Sequence, residues 1–221
     1  MCSGVLPDAM SAGKFITFEC GEGAGKSTQI SRVAEKIEQA GISVFTTREP
    51  GGSPGAETIR RLLLDPVKNW DVPTEALLHF AARADHYTTR IAPALREGKW
   101  VLCDRFADST RAYQGYGLGL NLEAIETLYG IALGDFKPDL TLIFDLPVET
   151  GMERMRARGD SPDRYEQMDK DFHGRLRKGF LDIAAREPDR CQIIDALQDM
   201  DAVTIAIVAC LSERLGVRLS V

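Results

Sequence analysis

Apolar residues fall in five short runs, separated by longer stretches of helical period. The runs Phe15–Cys20, Ser43–Thr47, Trp100–Asp104, Leu140–Asp145 and Gln192–Asp195 have the brevity and near-continuous apolar character of strands buried on both faces. Between them, helical patterns cover Lys26–Ala40, Ala56–Leu64, Thr74–Thr89, Leu122–Gly134, Val148–Arg158, Glu166–Arg186 and Asp201–Leu215. Alternating strand and helix predict an α/β fold, a parallel sheet with helices on both faces. No repeat, low-complexity tract or linker interrupts the alternation, so residues 14–221 read as one domain behind a loose N-terminal tail, 1–13. Within Thr74–Thr89, the residues Leu77, Phe80, Ala81 and Ala84 recur at i, i+3, i+4 and i+7 and predict the core-facing stripe. The Gly/Pro clusters Pro50–Gly55 and Gly115–Gly119 read as functional loops.

Composition narrows the class. With 221 residues, 44% hydrophobic and 27% charged, the chain is neither collagen-like nor largely disordered. No run of 18 apolar residues is present, so no membrane span is expected. Met1 to Gly13 lacks the basic and apolar regions of a signal peptide. Five cysteines, scattered and odd in number, suit neither a disulfide framework nor a zinc site and fit a reducing cytoplasm. Cys103 and Cys191 lie in apolar runs and read as small buried hydrophobes. A net charge of -6 disfavours a nucleic-acid partner. Of the 27 basic residues, however, 19 are Arg and 8 are Lys. Arg is suited to bidentate phosphate recognition, so a focused Arg cluster is expected inside an acidic protein.

The strongest chemical signal is Cys20-Gly21-Glu22-Gly23-Ala24-Gly25-Lys26-Ser27-Thr28. It follows the first strand and opens the first helix, the setting a phosphate-binding loop requires. Its glycines let backbone N–H groups turn inward on phosphate oxygens. Lys26 is suited to reach the β- and γ-phosphates of ATP and Ser27 to ligate Mg²⁺, and the helix N-terminus adds partial positive charge. One position departs from the pattern G-x-x-x-x-G-K-[ST], since Cys20 stands where the first Gly belongs. Its Cβ is either a tolerated small group or a constriction that weakens the ATP site and leaves a modifiable thiol. A second run, Trp100 to Phe106, is a strand ending in Asp104-Arg105. There Asp104 can approach the Mg²⁺ shell and Arg105 can grip a phosphate.

Several motifs in this order resemble those of bacterial thymidylate kinases, from about Lys14 to Leu215. They are Phe15–Thr28, Arg48-Glu49-Pro50-Gly51-Gly52, Phe80–Arg83, Asp104–Thr110, Ala112–Gly115 and Asp163–Glu166. The resemblance implies a three-layer αβα P-loop kinase fold with a five-stranded parallel sheet, a lid at about 154–165, a homodimer, and transfer of the ATP γ-phosphoryl group to dTMP with Mg²⁺. It assigns Glu22 to the 3′-hydroxyl of dTMP. One branch of the family carries an Arg directly after this acid. Here Gly23 follows, so the Arg is expected from the lid, with Arg158 the first candidate and Arg164 the second. Lys26 and Arg105 complete the expected catalytic set.

The same resemblance places Arg83 on the thymine, Thr110 and Gln114 near it, and Tyr113 against the 2′-carbon. Arg48, Arg60 and Arg105 become candidates for the acceptor phosphate, with Glu49 and Pro50 shaping the loop beside it. The family's stacking aromatic lies four residues before the thymine Arg, where His79 stands in this chain, and Phe80 is one residue later. Either His79 stacks and Phe80 is core, or a local shift brings Phe80 to the base. A stacked His79 beside Arg83 is expected to be neutral, with dTMP binding weakened by its protonation in acid. His86 and His173 read as surface or packing residues. The acceptor phosphate is already an anionic nucleophile, so no general base is expected. Other P-loop classes fit less well. A kinase for UMP/CMP or a deoxynucleoside lacks support from the Arg-Glu-Pro-Gly-Gly and Tyr-Gln-Gly stretches. The guanine motif Asn-Lys-x-Asp of a GTPase is absent. A nucleic-acid-stimulated ATPase would need a basic face.

Overall fold

A computed structural model describes residues 13–65, 69–158 and 164–220, with the Arg158 side chain outside the described set. The strands are β1 (Phe15–Glu19), β2 (Val44–Arg48), β3 (Trp100–Asp104), β4 (Leu140–Asp145) and β5 (Cys191–Asp195). The helices are α1 (Lys26–Gln39), α2 (Pro54–Leu63), α3 (Val72–His86), α4 (Ala92–Arg96), α5 (Ala107–Thr110), α6 (Leu122–Leu133), α7 (Val148–Arg158), α8 (Lys170–Arg186) and α9 (Met200–Leu215). All strand pairs are parallel, in the order β2-β3-β1-β4-β5. The sheet is thus the expected five-stranded parallel one, with helices on both faces.

Strand alternation divides the core. Ile16 and Phe18 of β1 pack with Val33 and Ile37 of α1 and with Ile207 and Leu211 of α9. Phe15 points to the opposite face and packs with Val101, Cys103, Phe106, Ile125 and Tyr129. A third cluster joins Tyr113 to Phe172, Leu176 and Phe180 of α8. The C-terminal ends of β1, β2 and β3 lie side by side, with Phe18 and Arg48 both in register with Asp104. In open parallel sheets, this edge is where ligands bind.

Four expectations need correction, the first being the helix expected from Glu166, which starts at Lys170 behind its cap Asp169. The predicted core stripe of α3 is misplaced: Leu77 is 53% exposed, and Ala81 is exposed, whereas Glu75, Ala76, Phe80, Arg83 and His86 are buried. Polar partners decide the buried face here, because Glu49 and Thr110 bind Arg83, Glu49 binds His86, and Gln114 binds Glu75. The loop expected at Gly115–Gly119 is for the most part helical. After α5, a π-helical stretch runs over Arg111–Gly117 and packs on α8. At Gly117 an added Cβ would come within 2.6 Å of the Phe172 ring. Finally, α3 starts at Val72 rather than Thr74, capped by Asp71, whose carboxylate accepts the Thr74 N–H at 2.8 Å. It runs on through a π-helical turn, Tyr87–Ile91, into α4.

Candidate active site

The phosphate loop joins β1 to α1. Gly25 caps α1 with φ 77° and Gly23 has φ 74°, conformations that side chains rarely adopt. Lys26 Nζ lies 3.6 Å from Asp104 Oδ1 and donates to Cys20 Sγ at 3.0 Å. Ser27 Oγ donates to Asp104 Oδ2 at 3.2 Å. Cys20 is buried, and burial pushes its thiol up, against the pull of the Lys26 and Arg105 charges. Of the two sequence readings, a tolerated side chain fits this environment. A modifiable thiol does not, because reactive cysteines are partly exposed and have lowered pKa values.

Beside this loop opens a cleft of about 330 Å³ at the ends of β1–β3. Glu22, Lys26 and Ser27 line one side, and Arg48, Glu49, Pro50 and Arg60 another. His79 and Arg83 come from α3, and Asp104, Arg105, Thr110, Tyr113 and Gln114 from the segment after β3. Glu22 is the meeting point: its Oε1 accepts from Arg105 Nη2 at 2.8 Å and from the Tyr113 hydroxyl at 2.5 Å. Arg105 Nη1 donates to the Cys20 carbonyl at 2.7 Å, and its guanidinium lies 5.0 Å from the centre of the Tyr113 ring. Arg60 donates to the Pro50 carbonyl at 2.7 Å, and Arg48 pairs with Glu57 at 3.0 Å.

The back wall is a buried polar frame. Arg83, 2% exposed, donates from Nε to Glu49 Oε2 at 2.7 Å, from Nη1 to Thr110 Oγ1 at 3.1 Å and from Nη2 to the Phe106 carbonyl at 2.9 Å. His86 is fully buried, bonded through Nδ1 to Glu49 Oε1 at 3.0 Å and through Nε2 to Thr47 Oγ1 at 2.7 Å. His86 is therefore a framework residue. His173 is also buried, with Nε2 unpartnered.

Phe80 does not reach the cleft, contrary to the alternative that brought it to the base. It is 3% exposed and packs edge-on to Tyr129, with the Arg83 guanidinium 4.9 Å above its ring. His79, one position earlier, lines the cleft. Burial and the charges of Arg83, Arg105 and Arg164 hold its imidazole down at about 3.

The two lid candidates fare differently. The Arg158 side chain and residues 159–163 lie outside the described residues, as does the N-terminal tail up to residue 12. Arg164 Nη2 pairs with the buried Glu75 at 2.6 Å. Tyr165 donates to the same carboxylate, which also accepts from Gln114 Nε2 at 2.6 Å. Tyr165, Glu166, Phe106, Ser109, Leu63 and Leu64 also line the cleft, although none of them is among the expected site residues. The motifs Asp104–Thr110 and Asp163–Glu166 contain four of them. Leu63 and Leu64 carry no sequence signal, since an apolar residue at a helix end reads as core.

A divalent cation fits the residues present. Mg²⁺ takes few protein oxygens and several from substrate phosphates and water. The Ser27 hydroxyl and Asp104 carboxylate supply such a pair beside Lys26. Among the described residues no group of three or more His, Cys, Asp or Glu side chains forms a cage of its own.

Known proteins of one family resemble this chain in sequence and in fold. The sequence model of the thymidylate kinase family matches residues 18–207. Thymidylate kinase of Caulobacter vibrioides is 54% identical over 208 residues, covering 94% of this chain and 100% of the relative. That of Bradyrhizobium sp. is 49% identical over 218 residues, covering 97% and 96%. The crystal structure of thymidylate kinase from Ehrlichia chaffeensis superposes with a TM-score of 0.74 at 36% identity, over 91% of this chain and 99% of that one.

Proposed function

The chain belongs to the thymidylate kinase family and transfers the γ-phosphoryl group of ATP to dTMP, giving dTDP and ADP, and we infer that this transfer takes place in the cleft beside the phosphate loop. The observation that carries the inference is the convergence of Glu22, Arg105 and Tyr113 within hydrogen-bond reach, next to Lys26 and Asp104. Cys20 to Thr28 cradle the ATP phosphates, with Lys26 on the β- and γ-oxygens. Ser27 and Asp104 would hold Mg²⁺, which would supply neutralisation of phosphate charge. Glu22 takes the sugar 3′-hydroxyl, and Tyr113 closes the space at the 2′-carbon. Arg83, Thr110 and Gln114 face the thymine edge and His79 its ring. Arg105, Arg48 and Arg60 receive the acceptor phosphate, and Glu49 with Pro50 shapes that wall.

The nucleophile is a phosphate oxygen that needs no deprotonation, so positioning and charge screening do the catalytic work. Arg158 is the lid residue proposed to meet the transferring group, because the loop carries Gly23 and Arg164 is held by Glu75. Arg158→Ala should lower kcat by about 10²-fold or more. A change of only a few-fold would move the role elsewhere.

The enzyme is proposed to act as a cytoplasmic homodimer with ATP and dTMP as partners and no nucleic-acid or membrane ligand. In support, the four described cysteines are unpaired, the net charge is -6, and no described helix is long and apolar enough to cross a membrane. ADP release measured with ATP and Mg²⁺ against dTMP, dUMP, UMP, CMP and AMP tests the substrate assignment. The expected result is a clear preference for dTMP, and an equal response to UMP or CMP would overturn it.

A further inference from the structure

Glu19 is the last residue of β1, just before the phosphate loop, and none of the roles above uses it. It is fully buried. Strand alternation turns it to the same face as Phe15 and Thr17, toward the segment that follows β3. Its Oε1 accepts the Phe106 N–H at 2.7 Å, and its Oε2 accepts the Ser109 hydroxyl at 2.6 Å. Ser109 Oγ in turn accepts from Arg105 Nη1 at 3.3 Å. Both carboxylate oxygens therefore lead to Arg105, one through the neighbouring backbone and one through its guanidinium. Among the described residues, Arg105 is the only non-glycine with positive φ, at 68°. Such a conformation persists where surrounding contacts over-determine it. The Arg105 N–H donates to the Phe18 carbonyl at 3.0 Å on one side of the turn, and Glu19 grips Phe106 on the other.

We propose that Glu19 is the positioning residue of the acceptor-phosphate site: its carboxylate holds the left-handed turn at Arg105 and so aims the guanidinium across the cleft. The proposal rests on the reading of Arg105 as a ligand of the acceptor phosphate. An apolar side chain would fill the same volume without the desolvation penalty, but could accept from neither Phe106 nor Ser109. That penalty is evident: burial and the Asp108 carboxylate push the Glu19 carboxyl up to about 7, against Ser109, Arg105 and Phe106.

Steady-state kinetics on the full chain test this, with the Michaelis constants for ATP and dTMP measured separately. Arg105→Ala sets the scale. Glu19→Ala is expected to raise the dTMP KM or lower kcat by about tenfold, with the ATP KM within about twofold of wild type. Glu19→Gln should recover most of the loss, since its amide oxygen still accepts from Phe106. In the Arg105→Ala background the Glu19→Ala change should add nothing, as two residues acting through one contact do not add. Ser109→Ala, a smaller change, should reproduce part of the dTMP defect and replaces Glu19→Ala if that variant does not fold. Unchanged dTMP constants in these variants, with Arg105→Ala impaired, would overturn the proposal. So would an equal rise in both Michaelis constants. An unimpaired Arg105→Ala enzyme would instead remove the reading of Arg105, and the proposal with it.

Discussion

His79 and Phe80 are neighbours in one helix, separated by about 100° of rotation. That angle sends Phe80 under Arg83 and His79 to the cleft. Because the His79 imidazole is held down at about 3, it stays neutral throughout the working range. The acid weakening of dTMP binding expected from its protonation is therefore revised: after subtraction of the substrate phosphate's own titration, the shape of the Kd profile between pH 5 and 8 should be the same in wild type and in His79→Ala. His79→Ala should weaken dTMP binding by about 1–3 kcal/mol, the range for loss of a ring stacked on a base, as titration calorimetry can check. Glu19 predicts the opposite kind of behaviour. Its folded carboxyl lies at about 7 against an ordinary 4.5, so the folded state binds the extra proton between those values. Its contribution to stability is full below about 4.5 and is lost as pH rises through about 7. The charged groups acting on it are Asp108 and Arg105. A thermal-melting profile should show this fall in wild type and a flatter curve in Glu19→Gln.

At the scale of elements, the phosphate loop and α7 are joined backbone to backbone. A Cβ on Gly151 would stand 2.7 Å from the Glu22 carbonyl, and one on Gly23 would stand 2.4 Å from the Gly151 carbonyl. An Arg after Glu22 would thus force α7 away from the loop. The missing loop Arg and the close seating of α7 against the loop are one feature of the packing. Gly151→Ala should destabilise the protein by about 1–3 kcal/mol, as overpacking does, and should raise the KM for ATP. An unchanged melting temperature and KM would show that α7 adjusts without disturbing the loop. Arg154, about one turn further along the helix, donates to the Ala196 carbonyl at 3.1 Å, tying it to the loop after β5.

Across the whole molecule, the acidic total conceals a cleft rich in Arg. Arg48, Arg60, Arg83 and Arg105 line it, all four already engaged by carboxylates or carbonyls. Such pre-paired guanidinium groups hold their orientation and suit small anions better than a nucleic-acid strand. The outer faces of α3 and α6, which pack together, expose Leu77 at 53% and Ile131 at 79%. Apolar side chains on adjoining helices fit the proposed homodimer contact. Ile131→Glu combined with Leu77→Glu should convert the protein to a monomer in light scattering after size exclusion, and persistence of the dimer would move the interface to another face.

The alternation of strands and helices, the phosphate loop and the Asp-Arg pair were legible in the chain because each is a local signal. Parallel strands buried on both faces must be continuous apolar runs, and glycine spacing at a strand-helix junction is contiguous in sequence. β3 and β4 match the apolar runs residue for residue. The face of α3, the helical state of Arg111–Gly117 and the work of Glu19 were decided only in three dimensions. Each depends on partners distant in the chain: Glu49 lies 34 residues from Arg83, and Ser109 lies 90 from Glu19. Hydrophobic periodicity carries no record of a polar side chain that is buried because another segment satisfies it. It marked Leu77 as core and passed over Glu75 and His86 for that reason. Residue types and their order determined what chemistry this protein can perform. Which of those groups face the cleft, and which hold the others in place, was settled by the long-range hydrogen bonds of the folded chain.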